Sequence, residues 1–252
     1  KGKTFLVRAP LIGRFNVYNL LGAIAAASAC GIRPRDAVAA LVDAPQVPGR
    51  MENVGNAGGA TVFVDYAHTP DALEKVLRSL REHVRGQLWC VFGCGGNRDR
   101  GKRPQMGAIA ERGADVVVLT NDNPRHESPE QIIEEIRAGM QSAPIVIADR
   151  AQAIAHALRE AAPGDFVLVA GKGHEDYQQI GDRRLPYSDR ETVRSLMEEA
   201  ACCPSAKPPR SCPAACTART RCSRASIPIR GNSPPAPCSS RCAGRISTAT
   251  IL

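Results

Sequence analysis

From about residue 60 to residue 200 the chain repeats one pattern. A short apolar run is followed by a polar or glycine-rich break, then by a stretch with apolar residues at helical spacing. The apolar runs are TVFVDYA, QLWCVFG, ADVVVLT, PIVIA and DFVLVAG, and ADVVVLT is apolar enough to be buried on both faces of a sheet. The helical stretches are PDALEKVLRSLREHV, KRPQMGAIAERG, SPEQIIEEIRAGM and DRAQAIAHALREA, with SDRETVRSLMEEA last, behind a Ser/Asp cap. Strands alternating with amphipathic helices predict an α/β, Rossmann-like fold over residues 49–200, a mostly parallel sheet with helices on both faces. In such sheets ligands gather at the C-terminal ends of the strands.

The flanks read differently. Residues 1–48 begin strand-like, in TFLVRAPLIG, and pass into a small-residue helix from about Val17 to Cys30, stopped by Gly31. RPRDAVAALVDA is a second helix, with Pro34 in its first turn. One strand and two helices cannot enclose a core, so residues 1–48 are expected to be the end of a domain that begins outside this sequence. Residues 201–252 are rich in Pro, Ser, Arg, Cys and Ala without helical or strand period, and should be disordered. Their composition resembles a GC-rich reading frame read out of phase, as a frameshift would leave it.

Charge follows this division. The formal net charge is +8, and residues 201–252 alone carry eight basic residues and no acid. Residues 1–200 therefore hold 25 residues of each sign, and their neutral balance argues against nucleic-acid binding. Seven of the ten cysteines also lie in the tail, while Cys30, Cys90 and Cys94 sit in apolar or glycine-rich contexts that suit buried, reduced thiols. No run of about 18 apolar residues could span a membrane, so a soluble, cytoplasmic chain, monomeric and without membrane partners, is expected.

Several motifs are decoys. KGKT at residues 1–4 has no upstream glycines and precedes a strand, unlike a P-loop. GCGGNRDRG follows a strand and opens a helix, but the third glycine of a dinucleotide fingerprint would fall at Arg98. The tail cysteines lack CxxC pairs and histidine, which leaves no zinc site.

Four strand ends carry polar residues that packing does not require. They are Asp65 and His68; Arg98, Asp99, Arg100 and Lys102; Asp122, Asn123 and Arg125; and Lys172, His174 and Glu175. Taken singly, a cap, a surface histidine or a solvated arginine loop accounts for each. At one edge of one sheet they make a site for a zwitterionic small molecule. Arg98 and Arg125 offer forked donors that match carboxylates. Asp122 and Glu175 offer acceptors for an ammonium, Gly171 and Gly173 let backbone approach a ligand, and Pro124 keeps Arg125 aimed. Two other readings stand beside this one: a free-standing amino-acid-binding module that uses the pocket without ATP, and a nucleic-acid binder working through its Arg-rich tail, which has no aromatic residue for base stacking.

GRFNVYN, VPGRME, VDYAHTPDAL, FGCGGNRDRGKRPQMG, TNDNPR and AGKGHEDYQ, in this order and spacing, resemble the Mur ligase family, and within it the branch that adds meso-2,6-diaminopimelate. The resemblance covers residues 1 to about 200. It implies an ATP- and Mg2+-dependent ligase of peptidoglycan biosynthesis that joins meso-diaminopimelate to a UDP-MurNAc-dipeptide through an acyl phosphate. It further implies that residues 1–48 are the end of the family's ATP-binding domain and residues 49–200 its amino-acid-binding domain. Diaminopimelate contacts would fall on Arg98, Asp122, Asn123, Pro124, Arg125, Gly171 and Glu175. Asn19, Arg50 and Asp65 match positions near the ATP, with His68 close to them. The family's P-loop, metal ligands, carbamylated lysine and UDP-sugar domain are expected outside this sequence, and the isolated chain is expected to lack ligase activity.

Overall fold

A computed structural model describes residues 4–202. From residue 203 onward the expected disordered tail lies outside the described residues.

The predicted alternation is realised element by element. Strand β2 (Ala60–Asp65) leads to helix α3 (Pro70–Arg81), β3 (Leu88–Phe92) to α4 (Lys102–Gly113), and β4 (Val116–Leu119) to α5 (Pro129–Arg137). The short β5 (Ile145–Val146) leads to α6 (Arg150–Glu160), and β6 (Phe166–Ala170) leads, after a hairpin, to α7 (Asp189–Cys202). Side-chain caps fix three of the helix starts. Thr69, Ser128 and Asp149 accept from the backbone N–H three residues on, and Pro70 and Pro129 follow two of these caps in the first turn.

Alternation along each strand explains the two-sided cover. Phe63, Leu88, Cys90, Phe92 and Leu168 point to one face, where Leu73, Leu77, Met106, Ile132 and Ile136 of α3, α4 and α5 close over them. Val62, Val64, Trp89, Val91, Val167 and Val169 point to the other, against Ala153, Ile154 and Ala157 of α6 and Val193 of α7.

Two hairpins were not foreseen. β1 (Glu52–Ala57) pairs antiparallel with β2 through a Gly58–Gly59 turn, so the sheet order is β1-β2-β6-β3-β4-β5. β7 (Tyr177–Ile180) and β8 (Arg183–Pro186) form a separate antiparallel pair around Gly181 and Asp182. The N-terminal segment also needs correction. Residues 4–13 form no strand beyond a single bridge residue at Val7, and α1 (Arg14–Ala29) starts earlier than its apolar pattern indicates. Helix α2 (Pro34–Ala40) gives way to a 3-10 turn at Leu41–Asp43. α1 buries only Leu20, so Cys30 at its end is exposed, contrary to the reading of a buried thiol, whereas Cys90 and Cys94 are buried. Burial pushes both of those thiols up to about 12. Among the described residues no helix is long and apolar enough to cross a membrane.

Candidate functional site

Strand order brings the four polar strand ends together. β6 inserts between β2 and β3, so the segments after β2, β6, β3 and β4 lie side by side at one edge. The loop after β3 runs to α4 on one face and the segment after β6 runs toward α7 on the other. A crevice opens where such connections diverge.

The floor of this crevice is a buried charge cluster. Lys172 is fully buried, and its Nζ donates to Asn123 Oδ1 at 2.8 Å and to the carbonyl of Tyr177 at 2.8 Å. The same nitrogen lies 3.1 Å from Asp122 Oδ1 and 3.7 Å from Glu175 Oε2. The contact with Asp122 is an ion pair without hydrogen-bond alignment, so Oδ1, although buried, accepts no hydrogen bond. Asn123 also donates from Nδ2 to Glu175 Oε2 at 3.0 Å. One cation thus faces two carboxylates, leaving one excess negative charge, as suits an incoming ammonium.

Arg125 sits in the left-handed region at φ 52°. The hairpin holds it there: Arg125 N donates to Gln179 O at 3.1 Å, Gly181 N donates to Arg125 O at 2.7 Å, and Gln178 Nε2 donates to Asp122 O at 2.8 Å. The Arg125 guanidinium donates from Nη1 to Gly96 O at 2.8 Å. The glycine loop after β3 is pressed against this turn, and a Cβ on Gly96 would meet Pro124 O at 1.9 Å. Arg98, exposed, is on the same loop, and its Cγ lies 3.9 Å from where a Gly95 Cβ would stand, with Arg125 Nη1 2.9 Å from that point. The two arginines therefore flank one glycine. Gly171, at φ 118°, turns the chain out of β6, and a Cβ there would come 3.6 Å from Asp122 Oδ2.

Two buried arginines brace this edge from behind. Arg103 of α4 pairs with Glu127 at 2.8 Å and Glu135 at 2.6 Å, and donates to Gly95 O at 3.2 Å. Hydrogen bonds from Arg103 hold the Glu127 carboxyl below the usual range, and those from Arg100 and Arg103 hold Glu135 down at about 2. Arg150 of α6 is bidentate with Asp189, at 2.7 and 2.8 Å, and donates to Ala170 O at 2.9 Å, tying α7 to the end of β6. Burial opposes its charge, but the Asp189 carboxylate outweighs that and raises the guanidinium above its ordinary value.

Beside the floor stands Tyr66. Arg50 lies 4.6 Å over its ring, His68 and His174 pack on it with centroids at 4.6 and 5.1 Å, and its hydroxyl reaches Glu175 Oε1 at 3.5 Å. Asp65 is next to this group, but both its oxygens accept backbone N–H groups, from Met51 and Ala67 at 2.7 Å each. Burial raises its carboxyl above the usual range. Asn19, exposed on α1, donates to Asn16 Oδ1 at 3.2 Å and bonds to none of these residues.

Sequence reasoning therefore assembled Asp122, Asn123, Pro124, Arg125, Gly171, Glu175 and Arg98 around one crevice, and Arg50, Asp65 and His68 around Tyr66. It left Lys172 out of the final set of ligand contacts. A single lysine between glycines at the end of an apolar strand was the available signal. A groove of about 410 Å3 between α3 and α4 is lined by Leu77, Arg78, Ile109 and Arg112, away from these residues.

The chain belongs to the Mur ligase family. Residues 49–173 match the family described as Mur ligase, glutamate ligase domain. Among curated proteins, the chain is 55% identical over 194 residues to the UDP-N-acetylmuramoyl-L-alanyl-D-glutamate--2,6-diaminopimelate ligase of Thermosynechococcus vestitus, covering 75% of this chain and 39% of that one. It is 53% identical over 190 residues to the ligase of the same name from Coxiella burnetii, again covering 75% of this chain and 39% of the relative. The chain thus spans about two fifths of the length of these relatives. A solved structure of a UDP-N-acetylmuramoyl-L-alanyl-D-glutamate--2,6-diaminopimelate ligase aligns with a TM-score of 0.63 at 45% identity, covering 78% of this chain and 41% of that one. A UDP-N-acetylmuramate-alanine ligase from Thermotoga maritima aligns at 0.55 with 18% identity, covering 80% of this chain and 41% of the other, a likeness of fold alone.

Proposed function

We propose that this chain is the amino-acid-binding part of an ATP-dependent ligase that adds meso-2,6-diaminopimelate to UDP-MurNAc-L-Ala-D-Glu in peptidoglycan biosynthesis. Residues 49–200 form the amino-acid-binding domain and residues 1–48 the end of an ATP-binding domain. The observation that carries this reading is the opposed pairing in the crevice: the Arg125 guanidinium at Gly95, with the Arg98 side chain starting out from the same glycine, and a floor with one excess negative charge at Asp122, Lys172 and Glu175. A carboxylate and an ammonium on one carbon match that pairing, and meso-diaminopimelate carries such a group at each end, where lysine has only an amine at its far end. Names of the relatives at 53–55% identity point to the same substrate.

In the proposed reaction ATP supplies the phosphoryl group that activates the glutamate carboxyl. This chain's part is to hold one end of diaminopimelate, with a carboxylate at Arg98 and Arg125 and an ammonium at Asp122, Glu175 and Gly171. The amine at the opposite end is left free to attack the acyl carbon as phosphate departs. On the nucleotide side, Arg50 fits an anionic phosphate, with Tyr66 and His68 beside it, whereas Asp65 serves in place as a backbone clamp. Among the described residues no group of three His, Cys, Asp or Glu is placed to hold a metal on protein ligands alone; Mg2+ would be bound largely through the ATP phosphates. Alone, the chain should make no UDP-MurNAc-tripeptide.

Isothermal titration of the 252-residue chain tests this reading. Meso-diaminopimelate should bind and cadaverine, the same diamine without either carboxylate, should bind at least tenfold more weakly. Equal affinities, or no heat with diaminopimelate, would overturn it. Titration with ATP separates a ligase fragment, which keeps a weak nucleotide site, from a free-standing amino-acid module, which ignores ATP.

A further inference from the structure

The glycine loop after β3 is tied down almost residue by residue. Gly95 O accepts from Arg103 Nη2 at 3.2 Å, Gly96 N donates to Asn123 O at 2.9 Å, and Gly96 O accepts from Arg125 Nη1 at 2.8 Å. Further on, Asp99 Oδ1 accepts from Gly101 N at 2.9 Å, and the Arg100 guanidinium pairs with Glu135. Between these ties stands Asn97, whose N–H donates to the Glu127 carboxylate and whose Oδ1 accepts from His126 N at 3.0 Å. Among the described residues 95–100, Arg98 alone carries no such tie. Resting on the substrate reading above, we propose that Asn97 is a positioning residue: it latches the glycine loop to the Asp122–Arg125 turn and so aims Arg98 at the same ligand carboxylate as Arg125.

Geometry carries this. Both bonds of Asn97 go to the two residues that directly follow Arg125, so the latch joins the residue before one arginine to the residues after the other. Its anchor is firm. Glu127 takes Arg103 on both oxygens, at 2.8 and 3.0 Å, and Arg103 is fully buried in α4. A bond to such a carboxylate is charge-assisted, and so stronger than one between neutral groups. Asn97 also lies in the left-handed region at φ 52°, which asparagine enters more readily than most residues. Arg98 is the next residue, so this angle sets the direction in which its side chain leaves the loop. Asn97 itself is exposed and fills no core, so packing does not account for its conformation or its two bonds.

The test is a double-mutant cycle on Asn97 and Arg98, read by isothermal titration of meso-diaminopimelate and of cadaverine into the full chain. Asn97→Ala should weaken diaminopimelate about tenfold and leave cadaverine, which has no carboxylate to be gripped, within about twofold. Once Arg98→Ala has removed the side chain to be aimed, adding Asn97→Ala should weaken diaminopimelate by no more than about a further twofold. Asn97→Asp keeps the acceptor for His126 N and tolerates the left-handed backbone, so it should restore most of the affinity. A residue that merely braces the loop would weaken both ligands alike, or cost as much without Arg98 as with it, and either result would overturn the proposal. Should Asn97→Ala fail to fold, Glu127→Gln loosens the latch from its other side, and the same cycle with Arg98→Ala carries the same two outcomes. Wild-type chain that binds no diaminopimelate would sink the substrate reading and this inference with it. Wild-type chain that binds diaminopimelate and prefers it to cadaverine, with an additive cycle, would sink this inference alone.

Discussion

Arg125→Ala separates the proposed ligand clamp from the scaffold that holds it. Arg125 makes one hydrogen bond with its guanidinium, from Nη1 to Gly96 O at 2.8 Å, which leaves most of its five N–H donors for a ligand. Two losses follow from the substitution. The bond to Gly96 is worth about 1 kcal/mol and would lower the melting temperature by roughly 2–4 °C in a chain of this size. The strained φ of 52° is common to arginine and alanine, so it adds nothing. A carboxylate held by the forked donors in a closed crevice is worth roughly 2–5 kcal/mol. At about 1.4 kcal/mol per decade, that weakens diaminopimelate by some tens- to thousands-fold. Cadaverine, the same diamine without either carboxylate, should lose no more than a few-fold, so selectivity should collapse. Arg125→Lys should recover only part of it, since an ammonium cannot reproduce the fork. Titration calorimetry with both ligands reads the two affinities, and a thermal melt reads the scaffold term. Equal loss for both ligands would show that Arg125 serves only the turn.

Gly96→Ala should cost a few kcal/mol of stability and abolish diaminopimelate binding, because the new Cβ would stand 1.9 Å from Pro124 O; a thermal melt and titration check both. Glu135, held at about 2 against 4.5 for the free group, adds stability that is complete above pH 4.5 and is lost as pH falls through 2. Glu135→Gln should therefore be less stable than wild type at pH 7, with the gap closing toward pH 2 in urea titrations. Alkylation at pH 8 followed by peptide mapping should label Cys30 quickly and leave Cys90 and Cys94 unmodified until the chain unfolds.

Five strands and the helices between them were legible because each obeys a local rule: a period of two or of 3.6, a Ser, Thr or Asp cap, a proline in the first turn. What local pattern cannot give is strand order. The insertion of β6 between β2 and β3 places Lys172 at the centre of the crevice, and this depends on contacts between segments a hundred residues apart. β1 was missed because ENVGNA has weak strand propensity and depends on β2 for its place, although the Gly58–Gly59 pair marks a two-residue turn. The second hairpin carries a Gly181–Asp182 turn of the same kind, and it clamps Arg125 at an angle no sequence rule predicts. Aspartate 65 shows the opposite case. Its type and position fit a ligand contact, and the fold uses both its oxygens on its own backbone.

A crystal structure of the chain with meso-diaminopimelate tests the central claim most directly. One carboxylate of the ligand should lie against Arg125 and Arg98, with the ammonium on the same carbon within hydrogen-bonding distance of Asp122 and Glu175. Density for the ligand in the groove between α3 and α4, or in the crevice with no carboxylate at Arg125, would contradict it.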